Sequence, residues 1–237
     1  MANKLPELSI FFPFWNEEKN IEQVIKKAIP VAQKVAEKWE IIMVDDGSSD
    51  NTIGIARKLA EENTNLVVVT HAKNRGYGAA LKSGFEKARY EFIVFNDGDG
   101  QFDFSEVSRF IEKIDKADVM IGFRKKRLDN PFRHILMNLL KVWDFIFFGF
   151  NFKDIDCGFK MFKKEALDKI MPFKSEGAMI TTEILAKAKR KKLKIAQVEV
   201  SHFPRLYGDQ SGGNLRVIVR AIRESFAIWW SLHYGRN

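Results

Sequence analysis

The chain has 237 residues, 46% of them apolar and 30% charged, which excludes a disordered or collagen-like polymer and fits one large domain or two small ones. Its single cysteine, Cys157, excludes a disulfide scaffold and a cysteine-based zinc site. The net charge of +8 is unevenly spread: residues 1–123 carry 16 Lys/Arg against 20 Asp/Glu, net −4, and residues 124–237 carry 23 against 11, net +12.

That split sets an acidic half suited to cations against a basic half suited to polyanions, whether nucleic acid, anionic lipid or phosphorylated substrate. One thiol fits a reducing compartment. Asn3, Lys4 and Glu7 interrupt the N-terminus, so no secretory signal is expected.

In chain order, Leu8–Phe12 reads as a strand ended by Pro13, and a helix follows from near Glu17, kinked or restarted at Pro30. Strands at Glu40–Val44, Leu66–Thr70, Phe92–Phe95 and Val119–Ile121 alternate with helices at Asn51–Glu62, Gly76–Arg89 and Ser105–Lys116. Near-continuous apolar strands separated by helices predict an α/β fold with a mostly parallel sheet covered on both faces. Ligands of such sheets bind beyond the strand C-termini, where Asp45, Asp46, Asp97 and Asp99 fall.

The second half is less regular. Arg124–Arg133 is a basic loop, and Ile135–Phe152 is strongly apolar but carries Lys141 and Asp144. That pattern makes a poor membrane span and fits an amphipathic helix on a core or a bilayer surface. A strand at Gly158–Phe162, helices at Lys164–Ile170 and Ile180–Lys191, a strand at Ile195–Val200 and a helix at about Leu215–Leu232 follow. Lys187–Lys194, with six positive charges in eight residues, reads as an exposed helix face, and Glu183 as a solubilising helix residue, with orienting an acceptor-side arginine as the alternative. His71 reads as structural or exposed.

Chemistry concentrates in the strand-end turns. Asp97-Gly98-Asp99-Gly100-Gln101 puts two carboxylates and an amide directly after a buried strand. Oxygen donors in that spacing can share one divalent cation, and an acidic turn capping the next helix is the alternative. Asp45-Asp46-Gly47-Ser48 repeats the situation one crossover earlier, with Asp50 or Asn51 as N-cap of the next helix. Asn74-Arg75-Gly76-Tyr77-Gly78 lacks the third glycine of the dinucleotide fingerprint, having Leu81 there, and no Walker loop is present.

Taken in order, Asp45-Asp46-Gly47-Ser48, Asn74-x-Gly76, Asp97-Gly98-Asp99-Gly100-Gln101 and Asp154-Ile155-Asp156-Cys157-Gly158-Phe159-Lys160 resemble family 2 glycosyltransferases of the GT-A fold, and within them the dolichyl- and polyprenyl-phosphate sugar synthases. The resemblance runs from about Leu8 to Gly208. It implies a Rossmann-like GT-A domain over residues 1–205, its nucleotide- and metal-binding half at 1–123 and its acceptor half at 124–205. Residues 206–237 would form a mobile loop and a C-terminal amphipathic helix. It implies a nucleotide-sugar donor (GDP-mannose or a UDP-hexose), Mg²⁺ or Mn²⁺, and a polyprenyl or dolichyl phosphate acceptor. Pro13, Glu17 and Asp46 would line the nucleoside pocket; Asp97, Asp99 and Gln101 would hold the metal and donor diphosphate. Arg124 and Arg133, with Arg127 as substitute, would hold the acceptor phosphate. Asp154 matches an acidic position near the acceptor, and Arg205 the mobile-loop arginine that closes on the diphosphate. The usual Ser-Lys after the loop glycine is replaced by Asp209-Gln210.

An inverting transferase working peripherally at the cytoplasmic membrane face is therefore expected. A saccharide hydroxyl acceptor is the nearest alternative, with Asp154 or Asp156 as base. The failed glycine pattern argues against a dehydrogenase. A non-enzymatic nucleotide- or RNA-binding module is the distant alternative that the basic half permits, but no RNA-recognition motif appears and the acidic strand ends would repel phosphate unless a cation intervened, so no nucleic-acid partner is expected. The apolar stripes at Leu136–Phe148 and Val217–Trp230 fit a bilayer surface or a homodimer interface.

Overall fold

The computed structural model describes residues 4–125, 143, 146–208 and 215–234. Its strands are β1 (Leu5–Phe14), β2 (Ala36–Asp45), β3 (Leu66–Thr70), β4 (Phe92–Asn96), β5 (Val119–Arg124), β6 (Phe159–Lys163) and β7 (Ile195–Val200). Its helices are α1 (Ile21–Val35), α2 (Thr52–Glu62), α3 (Tyr77–Lys87), α4 (Val107–Ile111), α5 (Lys164–Asp168), α6 (Ile180–Arg190) and α7 (Leu215–Tyr234). The seven strands form one sheet in the order β3-β2-β1-β4-β6-β5-β7. Only β6 runs against the rest, pairing antiparallel with β4 on one side and β5 on the other. The fold is the expected α/β sheet with helices on both faces.

The strand pattern explains both core layers. Along β1, Leu8, Ile10, Phe12 and Phe14 face one layer with α1, α2 and α4, while Phe11 faces the other with α3, α5 and α6. Ile41 and Met43 alternate with Ile42 and Val44 in the same way on β2. Strands buried on both faces have no polar side, hence their continuous apolar runs.

Several boundaries differ from the sequence expectation. Strand β1 runs through Pro13 to Phe14. Pairing with β4 stops at Phe11, and Phe14 O accepts from Asp46 N on the β2 side. Neighbouring residues of a parallel strand bond to opposite sides, so the N–H that Pro13 lacks would face the side where no strand remains. Helix α1 likewise continues through Pro30, giving up the bond to the Lys26 carbonyl. The helix expected at Ser105–Lys116 is a 3-10 turn at Phe104–Glu106 followed by the short α4.

Most of the basic loop and apolar stretch, residues 126–142, 144 and 145, lies outside the described residues, and Arg127 and Arg133 fall there. The described remainder packs on α7: Trp143 stacks on Phe147 at 4.2 Å and donates its indole N–H to Ser225 Oγ at 2.7 Å. No helix among the described residues is long and apolar enough to cross a membrane.

Candidate active site

The turns after β1, β2 and β4 and the loop after β7 meet at one end of the sheet. Asp97 continues the line of β4, its N–H donating to Gly158 O at 2.9 Å. Its carboxylate lies directly over Gly158, where a Cβ would fall 1.9 Å from Asp97 Oδ2. Tyr77, the first residue of α3, donates its hydroxyl to Asp97 Oδ1 at 2.7 Å. Gly98 turns so tightly that a Cβ there would lie 2.7 Å from Pro13 O, which places Pro13 against the acidic turn.

Asp99 and Glu17 share one cation, the Arg205 guanidinium. Arg205 Nη1 reaches Asp99 Oδ2 at 3.4 Å, and Nη2 bonds Glu17 Oε1. Arg205 Nε donates to Tyr207 O at 2.7 Å, which shapes the loop locally. Gln101 anchors the same loop: its Nε2 donates to Phe203 O at 3.0 Å, and Phe203 N–H donates to Gln101 O at 2.8 Å. Ser201 is fixed just before it by Glu106, which accepts from Ser201 N at 2.8 Å and Ser201 Oγ at 2.9 Å.

The charges do not balance. Burial first, then repulsion from Asp99, pushes the Asp97 carboxyl up to about 7. Burial also raises Glu17, against the opposing pull of its Asn20 hydrogen bond and of Arg205. Asp99 and Glu17 share one guanidinium, and Lys160 and Arg124 only partly offset the burial and repulsion felt by Asp97, so negative charge collects here, and hard oxygen donors suit Mg²⁺ or Mn²⁺. Among the described residues no group of three or more His, Cys, Asp and Glu is arranged to hold a metal alone. A cation here would rest on Asp97 and Asp99 and draw its other ligands from phosphate and water, as Mg²⁺ commonly does.

Asp46 is buried and fully engaged: Oδ1 accepts from Arg75 N at 3.0 Å and lies 2.6 Å from His71 Nδ1, and Oδ2 accepts from Gly76 N at 2.8 Å. Asp45 accepts from Thr70 Oγ1 at 3.0 Å. Of the two expected caps, Asn51 holds the N-cap position of α2 but makes no side-chain cap bond, and Asp50, one residue earlier, accepts from Thr52 N at 3.0 Å.

Two of the residues expected on the acceptor side also meet. Arg124 closes a fork on Asp154, Nε to Oδ2 at 2.7 Å and Nη2 to Oδ1 at 3.0 Å. Burial works against the Arg124 charge, but Asp154, by charge and hydrogen bond, outweighs it and raises its pKa.

Sequence reasoning missed Tyr77, His71 and Lys160 as site-building residues. Lys160 is fully buried and donates to Ile155 O at 2.9 Å and to Cys157 O, tying down the loop that carries Asp154. A lone lysine inside the apolar run Phe159–Phe162 was the available signal. Glu183 is a correction: it is buried rather than solubilising, and it accepts from the Lys174 and Ser175 N–H groups and pairs with Lys187 at 2.8 Å. Cys157 is buried, and its thiol is pushed up to about 12, first by burial, which fits a packed residue rather than a nucleophile.

The model of the family described as "Glycosyl transferase family 2" matches residues 9–171, more than half of the chain. The chain belongs to glycosyl transferase family 2. It is 33% identical over 220 residues to the dolichyl-phosphate beta-glucosyltransferase of Saccharomyces cerevisiae, an alignment covering 82% of this chain and 66% of that one. It is 25% identical to the undecaprenyl-phosphate 4-deoxy-4-formamido-L-arabinose transferase of Proteus mirabilis, covering 91% and 65%. The chain thus spans just under two-thirds of the length of these curated relatives. In fold it is similar to glucosyl-3-phosphoglycerate synthase from Mycobacterium tuberculosis, crystallised with Mn²⁺, UDP and glucosyl-3-phosphoglycerate. That match has a TM-score of 0.71 at 20% identity and covers 98% of this chain and 81% of that one. The GT-A architecture expected from the motifs is the fold observed.

Proposed function

We propose that this family 2 member transfers a hexose, with inversion, from a nucleotide sugar to a polyprenyl or dolichyl phosphate. The observation that carries this reading is the pairing of two charge centres at one sheet end. One is the acid-rich donor side at Glu17, Asp97 and Asp99; the other is the Arg124–Asp154 fork on the acceptor side. The names of the yeast and Proteus relatives support a lipid-phosphate acceptor, and a UDP-hexose and GDP-mannose are the donors to try.

In this reading Pro13, Glu17 and Asp46 form the nucleoside side, and Asp97 and Asp99, with Gln101 nearby, would hold Mg²⁺ or Mn²⁺. A bound divalent cation supplies charge stabilisation for the departing diphosphate. Arg205 adds positive charge when the loop is closed and keeps water from the activated sugar. The acceptor phosphate oxygen forms the new bond to the anomeric carbon, and the nucleoside diphosphate leaves with the electron pair. A phosphate with a second pKa of about 6 is already ionised near neutrality, so no base has to remove a proton. That requirement fits an Asp154 already clasped by Arg124. Arg127 and Arg133 would complete the phosphate site.

Residues 1–205 would be the catalytic domain and 206–237 the mobile loop and amphipathic helix. Exposed Phe226, Trp230 and Tyr234 beside exposed Arg223 on α7 support a peripheral seat on the cytoplasmic face of an anionic membrane; a homodimer interface is the competing occupant. Thermal shift with UDP-glucose, GDP-mannose, NAD and RNA, each with and without Mn²⁺, tests the donor reading. Stabilisation by one nucleotide sugar, enhanced by Mn²⁺, is expected; stabilisation only by NAD or RNA would overturn it.

A further inference from the structure

The acidic ends of β2 and β4 are bridged by one short segment, residues 71–77, which runs from the end of β3 into the first residue of α3. At its start His71 lies against Asp46, with Nδ1 at 2.6 Å from Oδ1 and Nε2 at 2.8 Å from Ser83 Oγ on α3. Facing a carboxylate, Nδ1 donates to it, and Nε2 shares a hydrogen bond with the Ser83 hydroxyl, so the imidazole is held at both nitrogens. The His71 and Asp46 side chains are 7% and 4% exposed. Toward its end the loop returns to the same carboxylate through the Arg75 and Gly76 N–H groups. The next residue, Tyr77, donates to Asp97. Gly78 N–H and Ala79 N–H, which follow, donate to Glu176 O and fix the start of α3.

A loop this short, bonded at both ends, has few arrangements that satisfy Asp46 and Asp97 together. Losing either bond lets the loop relax and moves the carboxylate that the altered residue does not touch. Neither His71 nor Tyr77 has a role in the function proposed above. We infer that the 71–77 loop is a bracket that fixes the nucleoside-side acid Asp46 relative to the cation-side acid Asp97, with His71 and Tyr77 as its positioning residues. The two halves of the donor site are then built as one unit. This inference rests on the donor-site reading.

The test measures cross effects on the full chain, using Mn²⁺ with inorganic pyrophosphate, and UDP and GDP without metal, as probes. Tyr77→Phe keeps the ring and removes only the hydroxyl at Asp97. It should weaken metal-free binding of the preferred nucleotide by about threefold or more. His71→Leu, which removes the bonds to Asp46 and Ser83 and none to Asp97, should weaken Mn²⁺ binding by a similar factor. His71→Asn, which retains a donor near the Nδ1 position, should recover most of that loss. The double variant Tyr77→Phe/His71→Leu should lose less than the product of the single losses. Should His71→Leu fail to fold, Tyr77→Phe and His71→Asn decide on the same cross effects, with melting temperatures as the control. Variants that each move only the probe on their own side, or losses that multiply, overturn the bracket. A wild-type chain that binds neither nucleotide, with or without Mn²⁺, overturns the donor reading and the bracket with it.

Discussion

Arg124 holds Asp154 in a two-point fork, at 2.7 Å and 3.0 Å, with side chains only 9% and 4% exposed. A carboxylate so engaged is a poor general base, whereas a guanidinium at a strand end is well placed to share its charge with a phosphate. Arg124→Lys keeps the charge and loses the fork. It should raise the KM for polyprenyl phosphate roughly tenfold, about 1.4 kcal/mol, with nucleotide Kd unchanged. Initial rates at varied acceptor concentration check this. Asp154→Asn should cost stability by leaving a buried arginine underpaired, of order 3–5 kcal/mol. Its kcat in the surviving folded fraction should fall only mildly; a loss of several orders of magnitude would mark Asp154 as a base and favour a hydroxyl acceptor.

Asp99→Asn should leave the fold intact and lower turnover by about 10²–10³-fold, the scale on which a single charge-stabilising group acts. Circular dichroism and initial rates read the two effects separately. Full turnover in excess chelator would contradict the cation assignment.

The close seat of Asp97 over Gly158 gives a steric prediction. Gly158→Ala places a methyl 1.9 Å from Asp97 Oδ2, and the backbone there requires no positive φ. The carboxylate must move, so activity and Mn²⁺ affinity should fall together, with a stability loss of about 1–3 kcal/mol. An alanine variant of normal rate would mean that Asp97 tolerates displacement.

Asp97 also sets a pH dependence. Its folded pKa of about 7 lies above the ordinary carboxylate value of 3.8, so between those values the native state binds more protons than the unfolded one. In metal-free protein this group's contribution to stability therefore falls as pH rises from about 4 to about 7, and the cost is complete above that. Asp97→Asn should flatten this part of the melting profile. A variant profile parallel to the wild type would contradict it.

Much of this was legible in the sequence. The boundaries of Leu66–Thr70 follow from an apolar run closed by polar turns, Ile195–Val200 is found where expected although Gln197 and Glu199 interrupt it, and the acids at strand ends mark the candidate site. The reversed strand β6 was not legible, because periodicity reports burial but not direction. Strand β1 outran its expected end because proline's missing donor matters only where a neighbour strand would accept from it. Glu183 and Lys160 were hidden for another reason. Charged residues that close loops from inside the core look like surface residues until the loops they serve are placed.

Arg205 spans Glu17 and Asp99 from a loop pinned at Gln101. Arg205→Ala should impair donor use, seen as a raised donor KM and a lowered kcat, while the acceptor KM changes little. Normal donor kinetics in this variant would remove Arg205 from the donor site.

The central claim is tested most directly by incubating the chain with radiolabelled UDP-glucose or GDP-mannose, Mn²⁺ and either a polyprenyl phosphate or the matching polyprenol. Label should pass into the organic phase as a lipid monophosphate sugar with the phosphate acceptor alone, and chelator should abolish it. Transfer to a saccharide or polyprenol hydroxyl but never to the lipid phosphate would contradict the account.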